Sequence, residues 1–70
     1  MNLKNNQITM RELLANPKAR ALLRREFPDV MNSPLLSFAE NMTLQNVLEF
    51  ARSYVPQHKV RSVMAQLKEL

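Results

Sequence analysis

The chain has 70 residues, 46% of them hydrophobic, with ten lysines and arginines against six carboxylates for a formal net charge of +4, and with neither glycine nor cysteine. So short a chain holds one domain with a small core and a stability margin of about 3 to 5 kcal/mol. The missing cysteine excludes a disulfide frame and a thiolate site, the missing glycine excludes a glycine-rich phosphate loop, and a high apolar fraction without glycine favours short helices over disorder or a β-rich fold.

Met1 to Gln7 is polar and amide-rich, with no apolar signal core, and reads as a flexible lead or linker to a single helical domain over residues 8–70. The domain opens on Ile8-Thr9-Met10-Arg11-Glu12-Leu13. Thr9 is placed to cap a helix, Glu12 to reach back to its amide, and Ile8 to touch Leu13 across the helix start. This predicts a first helix from Met10 to about Ala15. Asn16-Pro17 then caps a second, running to about Phe27, because proline suits the first helical position, where its missing N–H has no partner to lose. Ala19, Leu22, Leu23 and Phe27 share its apolar face. Pro28 forces the stop, and Asp29 to Asn32 reads as a turn or a short irregular helix.

Ser33-Pro34 repeats the cap-and-proline signal and predicts a short helix to about Glu40. Its Leu35, Leu36, Phe38 and Ala39 make it so apolar that burial on more than one side is expected. Asn41 reads as a left-handed stop. Met42, Thr43 and Val47 then restate the staple and cap of Ile8, Thr9 and Leu13, with Asn46 in place of the glutamate, and predict a helix from Leu44 to about Ser53. Val47, Leu48, Ala51 and Phe50 are expected inward, and Tyr54 half in with its hydroxyl wet. A last helix starts at or just after Pro56 and carries the stripe Val60, Val63, Met64, Leu67 and Leu70, which a small domain needs for its core. The two threonines stand 34 residues apart and the prolines Pro17 and Pro56 stand 39 apart. That spacing suggests a divergent internal repeat of a capped helix pair. The fold class is therefore all-α: a compact bundle of about five short helices.

No catalytic, metal or cofactor constellation stands out. His58 is alone, with no cysteine or second histidine to share a zinc ion, the carboxylates are scattered singly, and no cofactor is expected. No run approaches a membrane span, and a cytoplasmic protein is expected. The positive balance could favour an acidic partner. Lys18, Arg20, Arg24 and Arg25 form the only basic cluster and are the candidate nucleic-acid-binding residues, to be weighed against a solvated helix face whose long stems cover apolar surface.

The run Thr9-Met10-Arg11-Glu12-Leu13-Leu14-Ala15-Asn16-Pro17, followed by Ala19-Arg20-Ala21-Leu22-Leu23, Phe27-Pro28 and Met42-Thr43-Leu44, resembles a small helical module at the carboxyl end of some bacterial glycoside hydrolases, including β-glucosidase-like enzymes. The resemblance covers about residues 8–70 and implies an accessory helical domain without an assigned catalytic role. Two functions are expected. The first is a non-catalytic interaction module that docks to a protein partner, to a parent enzyme domain or to itself; the alternative is a small basic nucleic-acid binder.

Overall fold

The computed structural model describes residues 1–70. Six α-helices follow one another: α1 (Met10–Ala15), α2 (Pro17–Glu26), α3 (Pro28–Met31), α4 (Leu36–Ala39), α5 (Leu44–Ala51) and α6 (Gln57–Lys68), preceded by a 3-10 turn at Lys4–Asn6. The all-α class holds. The sixth α-helix is α3, at the place expected to be a turn or a short irregular helix.

The helix starts follow the capping residues. Thr9 and Thr43 adopt nearly the same extended backbone, with φ −77 and ψ 157 at the first and φ −77 and ψ 158 at the second. Each hydroxyl accepts the amide three residues on, from Glu12 and from Asn46, both at 3.2 Å. Thr9 also donates its hydroxyl to the Glu12 carboxylate at 3.2 Å. Asn16 caps α2 by accepting from the amides of Lys18 at 2.9 Å and Ala19 at 3.3 Å. These side chains satisfy donors that a helix start cannot pair within itself.

The two threonines also face each other as an isolated antiparallel bridge. The Met10 amide donates to the Met42 carbonyl at 2.9 Å and the Leu44 amide to the Ile8 carbonyl at 2.8 Å. Met10 and Leu44 are the first residues of α1 and α5, so each helix start takes its first orphan donor to the segment leading into the other. The bridging threonines are half-buried, and Ile8, Met10 and Leu44 beside them are all in the core. Arg11 extends the junction, its amide on the Glu40 carbonyl at 3.0 Å and its guanidinium on the Glu40 carboxylate at 3.3 Å.

From this junction α2 and α6 fold back and touch each other. Ala19, Leu22 and Leu23 of α2 and Val63 and Leu67 of α6 close the core over Leu13, while Met64 and Val60 are half-buried and Leu70 is exposed. Only ten residues are buried, all apolar.

Three segments depart from the sequence expectations. Residues 1 to 7 are not a free lead in this structure, because Leu3 sits in the core and the Met1 amino group donates to the Lys68 carbonyl at 3.0 Å and the Leu67 carbonyl at 3.3 Å at the end of α6. A positive group there also suits the negative end of the helix dipole. The left-handed residues are Lys4, Asn5 and Asn6, with φ of 54, 56 and 69, and not Asn41. Asparagine tolerates that region better than most residues, and the turn brings the chain from buried Leu3 back to buried Ile8. Finally, α4 is a single turn with no buried residue, and Leu35, Phe38, Phe50 and Tyr54 are all exposed. A four-residue helix presents too little surface to be enclosed, and a core of ten residues leaves nothing to enclose it with.

Thr9→Ala should cost about 1 kcal/mol through the lost cap, and Thr43→Ala no more than that, since Asn46 makes no return bond. Denaturant melts of the two variants measure this. A clearly larger loss at Thr43 would reverse the ranking of the two caps.

Candidate functional site

Lys18, Arg20, Arg24 and Arg25 are all exposed on α2, but helical geometry does not gather them into one stripe. At 3.6 residues per turn, Arg20 and Arg24 align on one flank of the buried Ala19-Leu22-Leu23 face, while Lys18 and Arg25 align on the other. Arg25 is engaged besides: its guanidinium donates to the Gln66 side chain of α6 at 2.8 Å and lies 3.7 Å from Glu26. Lys18, Arg20 and Arg24 form no ion pair. They are two half-patches and not a continuous basic ridge.

His58 is exposed in the first turn of α6, and no three histidine or carboxylate side chains come together in a group that could hold a metal ion. The Glu12 carboxyl is shifted from its ordinary range. The Lys4 ammonium, 2.7 Å from its oxygen, is the main cause, followed by the Thr9 backbone amide, and both hold the carboxyl below the usual glutamate range. This pair is solvent-exposed and joins the amino-terminal turn to the first turn of α1. It is a structural clip.

The features that stand apart are apolar. Val30, Leu35, Phe38, Phe50 and Tyr54 are between 56% and 84% exposed, and all fall within a stretch of 25 residues. Scattered single exposures need no explanation, whereas large apolar side chains exposed close together make a candidate interaction surface. The same stretch borders a cavity of about 130 Å³, partly open to solvent, lined by sixteen residues that are all hydrophobic. Its floor is the buried set Met10, Leu13, Leu23, Leu44, Val63 and Leu67, and Val30 stands exposed at its mouth. Leu35, Phe50 and Tyr54 are each adjacent in sequence to a lining residue, namely Leu36, Ala51 and Val55.

Phe27, another lining residue, carries the half-buried Lys59 ammonium 4.9 Å from its ring centre. The cation, carried by α6, thereby packs over the residue that joins α2 to α3.

Neither the exposed surface nor the cavity is legible from residue types. Periodicity identifies which residues are apolar, and it does not say that Val30 of α3, Phe38 of α4 and Phe50 at the end of α5 are left uncovered. The only hint is quantitative: 46% hydrophobic residues is more than a 70-residue chain can enclose. Comparison with known proteins finds no matching family model, no characterised relative and no similar solved structure.

The Glu12 clip makes a pH prediction. A carboxyl whose folded pKa lies below its unfolded value contributes stability above the unfolded value and loses it as pH falls through the folded one. The Glu12 carboxyl should therefore titrate below the ordinary glutamate range in an NMR pH series, and Lys4→Gln should move its midpoint back up. An unmoved midpoint would show that the Lys4 contact does not persist in solution.

Proposed function

We propose that this chain is a non-catalytic docking domain that binds another protein through the exposed apolar surface of residues 30–54. The observation that carries the reading is the concentration there of Val30, Leu35, Phe38, Phe50 and Tyr54, large side chains left in water by a chain that buries only ten residues. Charge gives a protein partner a slight advantage over a nucleic acid at this surface: residues 30–54 hold Glu40 and Glu49 against the single cation Arg52, a balance that does not attract phosphates. No helix is long and apolar enough to cross a membrane, and the partner is sought in the cytoplasm. The resemblance of the Thr9 to Pro17 run and its companions to a module of bacterial glycoside hydrolases favours a larger bacterial enzyme as the partner, on the same polypeptide or a separate one, ahead of a second copy of this chain.

The alternative, a nucleic-acid binder acting through Lys18, Arg20, Arg24 and Arg25, keeps one supporting observation, the three unpaired cations on α2. Phosphate contacts release counterions on binding and weaken steeply with salt, whereas apolar docking does not. Phe38→Ser combined with Phe50→Ser should leave helicity and melting nearly intact, because both side chains are exposed, and should abolish partner capture. Arg20→Gln combined with Arg24→Gln should leave capture in place, and raising salt to about 0.3 M should change it little. The opposite pattern, with binding lost in the arginine variant and in salt, would replace docking by the nucleic-acid reading.

A further inference from the structure

The cavity behind the exposed surface has a chemistry of its own. None of its sixteen lining residues carries a polar side chain. Water held in such a space needs two to four polar partners, which this wall does not supply, whereas an engineered cavity of about 150 Å³ lined by leucine, isoleucine and phenylalanine stays dry and takes benzene or xenon. The present volume of about 130 Å³ is close to that. A ligand with a charge or a hydroxyl inside would lose its hydration and find no replacement.

The lining also favours one shape of apolar ligand. Met10, Met31 and Met64, three of the five methionines, lie in the wall. Their unbranched thioethers adapt to an occupant and make favourable contacts with aromatic edges, and the Phe27 ring offers an edge-to-face partner. Met31 and Met64 are only half-buried, so they can move aside at the open end. The floor, by contrast, is fixed by Leu13 and Leu67, which are almost wholly enclosed.

We propose that this cavity is a binding site for a compact neutral aromatic group, a single ring bare or with a short alkyl substituent, which enters past Val30 and seats between the methionines and Phe27 on the floor made by Leu13 and Leu67. The site shares Val30 with the docking surface but includes neither Phe38 nor Phe50. Occupying it would strengthen the fold, since whatever binds the folded chain alone stabilises it by mass action.

The probes are benzene and toluene, compared with phenol and benzoate. Benzene and toluene should raise the melting temperature in a saturable way and shift the methyl signals of Met31 and Met64. Phenol should bind about tenfold more weakly or worse, and benzoate should give no response. Ala51→Leu, which adds bulk to the half-buried wall of the cavity, should remain folded and lose the benzene response, with Val55→Leu as a second filling variant should the first not fold. The Phe38→Ser, Phe50→Ser chain should keep the response, which separates this site from the docking reading. Absence of a saturable benzene effect on the unaltered protein, benzoate binding as well as benzene, or benzene binding undiminished in a folded filling variant would each overturn the assignment.

Discussion

The structure depends on one exchange of two backbone hydrogen bonds at the edge of the core. A helix start leaves its first amides without partners inside the helix, and α1 and α5 solve this for each other through the Met10-to-Met42 and Leu44-to-Ile8 bonds. Because Thr9 and Thr43 are the caps of the same two helices, the third amide of each is satisfied locally and the first is satisfied across the junction. Orphan donors that would otherwise hold each helix start in water become a reason to bury it. Ile8, Met10 and Leu44 can then enter the core, and α2 and α6 are set on the course that brings Leu22, Leu23, Val63 and Leu67 over Leu13. The near-identical backbone of the two caps gives the junction a local two-fold character, which is the structural counterpart of the Thr9 and Thr43 repeat in the sequence.

What was legible in the sequence is what is local. Thr9 with Glu12, Asn16 with Pro17, and Thr43 fix helix starts by bonds spanning two or three residues, and α1 lies where those residues put it. Pro56 stands just before α6 as its cap residue, one position ahead of Gln57. The bridge between the caps spans 34 residues and leaves no trace in residue type beyond the recurrence itself. Burial was legible for the long helices, where a stripe has a definite facing direction, and illegible for α4 and the end of α5, where Leu35, Phe38 and Phe50 carry no sign of whether a neighbour reaches them. The left-handed turn at Lys4–Asn6 was hidden for another reason: a polar, amide-rich lead looks unstructured until Leu3 is seen to anchor it. Likewise Lys18, Arg20, Arg24 and Arg25 look like a cluster along the sequence and divide onto two flanks once wound into α2.

The proposed docking role rests on what so small a core leaves undone. The amino-terminal turn, the two capped helix starts and α6 use the available buried surface, and the segment from α3 to the end of α5 is left with large apolar side chains in water and a cavity at its inner edge. Both are unfavourable for an isolated domain with a margin of a few kcal/mol. Covering the surface or filling the cavity would recover part of that cost, which couples the fold of this chain to whatever occupies it.

The central claim is that the paired helix starts organise everything else, and native-state hydrogen exchange at two amides tests it most directly. If the claim holds, the Met10 and Leu44 amides exchange only through the opening that unfolds the whole domain, as slowly as the amides of Leu23 and Leu67. Exchange at Met10 and Leu44 as fast as in the single turn of α4, with Leu23 and Leu67 still protected, would mean that α2 and α6 hold together without the bridge and would contradict it.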